Sequence, residues 1–168
     1  MITNKPWFSS YPAGVPHHLS YDRYGSLLDL LDESFKTHQE RPAYWCMGKH
    51  FSYEAIDLAS KQLASYLQSL GLSKGARVAI MLPNIPQYPM ALYGVLRAGF
   101  IVVSINPLYT PRELAAQLRD CGAEAILLLE HFGKTLEDAF ALEGKAIAIK
   151  HAVITSIAEM LGWKGPWL

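Results

Sequence analysis

The chain has 168 residues, 51% of them hydrophobic and 18% charged, with 15 basic residues balancing 15 acidic ones. That composition belongs to a globular chain long enough to bury its own core, and it excludes a disordered segment. Zero net charge without a basic cluster leaves a nucleic-acid partner no electrostatic support, and Cys46 and Cys121 are too few and too far apart for a disulfide framework, which points to a reduced, cytoplasmic setting.

Met1 to Pro16 carries a single lysine and no continuous apolar stretch, so it does not read as a secretory signal. The longest apolar runs, such as Val78–Pro83 and Ala125–Leu129, fall far short of the roughly 20 residues that a spanning helix needs. Residues 1–23 hold aromatics, prolines and a histidine pair without periodicity, and read as an extended arm on the domain surface. Helical character begins at Ser26, a cap with Asp29 three positions on. Leu27, Leu28, Leu31 and Phe35 then share a stripe, and Asp29, Asp32, Glu33 and Lys36 face water. After Arg41-Pro42 the pattern predicts a short β pair, Ala43–Met47 and His50–Ser52, turned at Gly48-Lys49. Ser52 caps a second helix, with Ile56, Ala59, Leu63, Tyr66 or Leu67, and Leu70 inward and Gly71 as its stop.

From here strands and helices alternate. Arg77–Leu82 is a continuous apolar run, as expected of a strand buried on both faces of a parallel sheet. The next helix is confined at its start by Pro86 and Pro89 and ends at Arg97-Ala98-Gly99, with Leu92, Val95 and Leu96 inward. Phe100–Ile105 is a second strand. Thr110-Pro111-Arg112-Glu113 then opens a helix with cap, proline and acid in order, and Leu114, Leu118 and Cys121 form its inner stripe before Gly122 ends it. Ala125–Leu129 is a third strand, Gly133–Phe140 a short helix, and Ile147–Ile154 a fourth strand. Such alternation predicts right-handed βαβ units, hence an α/β domain whose parallel sheet carries helices on both faces. The domain is expected over residues 24–154, after the 1–23 arm. Residues 155–168 read as a connecting segment cut short, because Trp163, Trp167 and Leu168 have nothing after them to bury them.

Ligands of such a sheet bind at the carboxyl ends of its strands. The loop after the first strand, Pro83-Asn84-Ile85-Pro86, has no glycine, and its prolines remove amides that a phosphate cradle requires. Gly94 and Gly99 lie in or at the end of a helix, and no GxxxxGK[ST] string exists. Asn106-Pro107-Leu108-Tyr109-Thr110 offers an Asn and a Tyr to a ligand, although Asn-Pro making a turn is the simpler account. His17-His18 lacks a third ligand at metal spacing, and His38, His50, His131 and His151 are scattered. Asp29, Asp32 and Glu33 sit on the polar face of an amphipathic helix, and Cys121 falls on a buried stripe rather than beside a base. The residues assemble no catalytic, cofactor-binding or metal-binding set.

Several strings in order carry a resemblance: Phe51-Ser52-Tyr53-Glu54; Gly75 to Asn84 (GARVAIMLPN); Gln87 to Gly99 (QYPMALYGVLRAG); and Val102 to Leu114 (VVSINPLYTPREL). Together with the arm string WFSSYPAGVP from Trp7, they resemble the amino-terminal part of the acyl-adenylate-forming enzymes. The nearest match is the bacterial long-chain fatty acyl-CoA synthetases, and it runs from about Trp7 to Ile154. The resemblance implies a ligase that joins a fatty acid and ATP into an acyl-adenylate and passes the acyl group to coenzyme A. ATP, Mg2+ and coenzyme A are then ligands of the parent enzyme, and none is expected in this fragment. The family's Thr/Ser/Gly-rich phosphate loop, magnesium-binding acid and catalytic lysine fall after the part that this chain matches, so the fragment alone is expected to be inactive.

The implied partners are the remainder of the parent chain and a fatty acid, with peripheral contact at the inner membrane face and self-association through the apolar carboxyl-terminal end. Two other readings stand beside it: a fragment of another acyl- or aryl-adenylating ligase, and a non-catalytic binding or dimerisation module.

Overall fold

The computed structural model describes residues 5–18 and 22–167, with side chains through Gly162. Four strands form one parallel sheet: β3 (Arg77–Met81), β4 (Ile101–Ser104), β5 (Ala125–Leu129) and β6 (His151–Thr155), in the spatial order β4-β3-β5-β6. The register pairs Val78 with Val102 on one side and with Ala125 on the other, and Ile126 with Ala152. A separate hairpin, β1 (Pro42–Cys46) with β2 (Lys49–Ser52), is antiparallel. The helices are α1 (Leu27–Thr37), α2 (Tyr53–Ser69), α3 (Gln87–Arg97), α4 (Pro111–Cys121) and α5 (Gly133–Glu143).

The side-chain period of two divides the strands between two cores. Val78, Ile80 and Leu82 point to the face covered by α2 and α3, where they meet Leu67, Ala91, Val95 and Leu127. Ala79 and Met81 point to the opposite face, against Leu114, Leu118, Ile126, Leu128 and Leu136 of α4, β5 and α5. The β3-to-β4 connection therefore runs over one face and the β4-to-β5 connection over the other, as a single hand of crossover requires when the direction of travel reverses. Each fully buried aliphatic side chain in β3 contributes about 1.5–3 kcal/mol. A third, smaller cluster of Phe35, Phe51, Ile56 and Met90 joins α1 and the hairpin to the α2–α3 layer.

Three caps read from the sequence form as expected. Ser26 Oγ accepts from Asp29 N at 3.2 Å and Ser52 Oγ from Ala55 N at 3.1 Å. At α4, Glu113 accepts from Thr110 N at 2.9 Å while Thr110 Oγ1 accepts from Glu113 N. Leu67 is buried and Tyr66 is 50% exposed, so Leu67 belongs to the stripe of α2.

Other expectations change. The hairpin turns at Met47-Gly48, not Gly48-Lys49: both residues have positive φ (48° and 81°), the two-residue geometry whose twist suits a hairpin. The strands accordingly run Pro42–Cys46 and Lys49–Ser52. In α3 the buried stripe is Met90, Ala91, Gly94 and Val95, while Leu92 and Leu96 are only half-buried, because the small residues are the ones that seat against α2. Leu27 is exposed, so the α1 stripe narrows to Leu28, Leu31 and Phe35. The last strand begins at His151 rather than Ile147. Gly144–Ala146 is a 3-10 turn, and Ile147 reaches the core from irregular backbone. Helix α5 extends past Phe140 to Glu143. The arm is not simply extended, since Pro6–Ser10 forms a 3-10 turn with Phe8 stacked on His17 at 4.2 Å. Residues 1–4 and 19–21 of that arm lie outside the described residues, as do the side chains of Trp163, Trp167 and Leu168.

Candidate functional site

The carboxyl ends of the strands carry the loops in which a ligand of this architecture would lie, with the switch between β3 and β5, whose connections leave to opposite faces. The loop after β3 is compact, with Ile85 N donating to Pro83 O and Tyr88 N to Ile85 O. Proline at 83 and 86 leaves it few free amides. Asn84 is exposed and lines a shallow groove with Tyr44, Trp45, Tyr88 and Tyr93. After β4, Asn106 Oδ1 accepts from Leu108 N at 3.0 Å, which is the turn-forming role for that residue. Tyr109 is half-buried against the α4–α5 core.

The other candidates do not converge. Glu33 pairs with Arg23 at 2.6 Å, and Asp32 pairs with Arg97 at 2.7 Å, so Asp32 is a bridge between helices rather than a purely solvated residue. Cys121 is half-buried, and its thiol points to the carbonyl of Leu118 at 3.6 Å. His50 and His131 are exposed, and His38 lies beside Tyr53 with Nδ1 buried and unpartnered. Among the described residues no group of three or more His, Cys, Asp or Glu side chains is placed to hold a metal ion.

Three features escaped the sequence reading. Arg97 is held in a fork, its Nη2 donating to Asp57 Oδ1 and to Asp32 Oδ1 at 2.7 Å each and its Nε to Ser60 Oγ at 3.1 Å. Tyr44 and Tyr93 share a hydroxyl–hydroxyl hydrogen bond of 3.2 Å between the hairpin and α3. Burial, then the bond to Tyr93, raises the Tyr44 phenol well above its ordinary value. The third is an apolar cavity of about 160 Å³ at the carboxyl end of the sheet. Its walls are Leu82 just after β3, Leu127 and Val153 from β5 and β6, Leu63 from α2, and Met90 and Ala91 from α3, with Gln87 beside them. Gln87 is 8% exposed and donates from Nε2 to the carbonyl of Ser156 at 2.8 Å, while its Oε1 is buried without a donor. A polar residue directly after Pro86, at the first position of an otherwise apolar helix, was the one local signal for it.

Comparison with known proteins fits this architecture. Residues 31–164 match the family model described as AMP-binding enzyme. A long-chain-fatty-acid–CoA ligase of Escherichia coli is 45% identical over 158 residues, which is 94% of this chain and 28% of that protein. The corresponding ligase of Bacillus subtilis is 39% identical over 162 residues, 96% of this chain and 28% of that protein. The chain thus spans somewhat over a quarter of the length of these curated relatives. Among solved structures, a long-chain-fatty-acid–CoA ligase of Archaeoglobus fulgidus superimposes with a TM-score of 0.73 at 23% identity, covering 89% of this chain and 31% of that one. An anthranilate CoA ligase bound to anthranoyl-AMP superimposes with a TM-score of 0.69 at 22% identity, covering 76% and 24%. These two likenesses show that the α/β fold is shared. Because that family model matches most of this chain, residues 31–164, the chain belongs to the AMP-binding enzyme family.

Proposed function

We propose that residues 1–168 are the amino-terminal scaffold of a long-chain-fatty-acid–CoA ligase. The observation that carries this reading is the 45% identity, over nearly the whole chain, to the E. coli ligase. In the reaction, the fatty-acid carboxylate displaces pyrophosphate from ATP to give an acyl-adenylate, and the thiol of coenzyme A then displaces AMP. Mg2+ would offset the charge of the phosphates. No catalytic, nucleotide-binding or metal-binding role is assigned to a residue within 1–168. The contribution of this part is a rigid α/β frame: β3 and β5 central, one helical layer on each face, and short proline-rimmed loops at the carboxyl edge.

Ligases for other acids share the fold, but a relative outside the long-chain group, the triostin synthetase I of Streptomyces triostinicus, is 30% identical over 151 residues, below the 39–45% of that group. The fatty-acid substrate is favoured on that ground. Cys46 and Cys121 are both free thiols, which suits a reducing compartment. No described helix is long and apolar enough to cross a membrane.

The test is fatty-acid-dependent exchange of labelled pyrophosphate into ATP, run on the 1–168 chain and on the protein encoded by the extended reading frame. Exchange with long-chain acids by the extended protein alone supports the proposal. Exchange by 1–168 itself, or a requirement for an aryl acid, overturns it.

A further inference from the structure

We infer that the cavity beside Gln87 is the seat for an apolar side chain from the part of the longer protein beyond residue 168. The inference rests on the reading above, that the chain is one section of a longer ligase. Helices α2 and α3 cover β3 and β5 on this face, but over β6 they leave Val153 and Thr155 only half-buried. Among the described residues β6 is also an edge strand, with Ile154 56% exposed on its other face. A parallel sheet is ordinarily covered on both faces, and an uncovered apolar edge is a liability that a native chain closes. The cavity opens at this uncovered corner, and its walls are almost wholly aliphatic. A hollow of this size and lining accepts one ring or one branched aliphatic side chain.

Gln87 supplies an independent sign that the corner is incomplete. A carbonyl oxygen only accepts, so the contact with Ser156 O fixes the amide nitrogen on that side and leaves Oε1 as an acceptor with no donor. Buried acceptors without donors are rare in finished structures. A segment laid along β6 would bring backbone N–H groups to this corner as its side chain fills the void. The relatives, of which the chain spans 28%, have ample further sequence to provide it. A second copy of the same chain is the competing occupant, and the test separates the two.

Benzene serves as the probe, read by methyl resonances of Leu63, Leu82 and Leu127. In the 1–168 chain, benzene is expected to shift these methyls at all protein concentrations. In the extended protein it should leave them unmoved, and the methyls should instead show contacts to residues beyond 168. Ala59→Phe fills the void from α2 without touching Gln87. It should abolish benzene binding and hold or raise the melting temperature of 1–168, yet lower that of the extended protein by displacing the incoming side chain. Benzene binding equally to both proteins marks a free ligand pocket and overturns the inference. So does binding to neither, or loss of binding on dimerisation of 1–168. Loss of the ligase reading shows separately, as an extended protein with no fatty-acid-dependent pyrophosphate exchange.

Discussion

Arg97, the last residue of α3, reaches Asp57 of α2 at 2.7 Å with its own side chain only 11% exposed. The same Nη2 meets Asp32 of α1, the guanidinium lies 5.6 Å from the centre of the Phe35 ring, and Nε bonds Ser60, which is fully buried. One cation therefore ties three helices that are far apart in sequence. Removing it takes one of two cations from Asp57, which is 20% exposed and keeps Lys61 on its other carboxylate oxygen at 2.6 Å, while Ser60 Oγ still donates to the Asp57 carbonyl at 2.7 Å. Discounted for that remaining partner and for the solvent at Asp57, Arg97→Ala is expected to lose about 1–2 kcal/mol. Arg97→Lys should recover only part of this, since an ammonium cannot make the fork. Asp32 is 57% exposed, so Asp32→Ala should cost under about 1 kcal/mol. Urea unfolding of these variants checks the order; equal losses in Arg97→Ala and Asp32→Ala would refute it.

Gly94 is a second long-range constraint. A Cβ added there would stand 2.9 Å from Leu63 Cδ2, closer than real contacts allow, and 3.1 Å from Leu63 Cβ, tighter than nearly all of them. The glycine is needed for close approach of α2 and α3, since it lies inside a regular helix and is not among the residues with positive φ. Helix propensity favours alanine by about 1 kcal/mol, but forcing the two helices apart costs more, typically about 1–3 kcal/mol. Gly94→Ala should therefore destabilise in spite of propensity. Adding Leu63→Ala should then cost less than it does in the unmodified chain, a non-additivity readable from a denaturation cycle.

The contrast between these contacts and the caps explains what the sequence made legible. Ser26, Ser52 and Thr110 each bond to an amide three residues away, so the spacing alone announces the contact. The buried run of β3 and the glycine stops after α2 and α4 are equally local. Arg97 and Asp57 are 40 positions apart, and Gln87 and Ser156 are 69, so neither pair leaves a trace in any window. The misplaced start of β6 has a different cause: Ile147 is apolar and buried, yet it enters the core from irregular backbone, and an apolar run cannot distinguish the two. The cavity draws its walls from four separate elements and from Leu82 just after β3, and exists only once they are assembled.

Glu113 gives a pH test of the α4 cap. Its carboxylate accepts from Thr110 N at 2.9 Å and from Thr110 Oγ1 at 2.8 Å, and the backbone bond foremost holds it below its ordinary value of 4.5. A carboxyl whose folded value is depressed contributes stability above its unfolded value and loses it as pH falls through the folded one. The contribution should thus be intact at neutral pH, decline from about pH 4.5 downward, and vanish in stronger acid. Glu113→Gln should flatten that part of the curve of urea midpoint against pH. Thr110→Ala, which removes the hydroxyl cap, should cost about 1 kcal/mol at pH 7. An unchanged acid limb in Glu113→Gln would show that the cap contributes nothing to the titration.

Tyr44 makes the opposite prediction at the alkaline end. Burial first, then the hydrogen bond to Tyr93 at 3.2 Å, disfavours its phenolate, so the folded value lies above the ordinary 10.0. The native state then holds this proton after the unfolded chain has released its own, and the associated stability, full below pH 10, is lost as pH rises beyond it. In the folded protein, Tyr44 should keep its proton above pH 10. Tyr44→Phe should therefore leave the phenolate absorbance of the folded protein at pH 10 unchanged and reduce only the later rise that accompanies unfolding. The same variant should weaken the alkaline fall in stability. If Tyr44→Phe instead lowers the step near pH 10 by one tyrosine, the hydroxyl is open to solvent and the hairpin–α3 contact is not closed in solution.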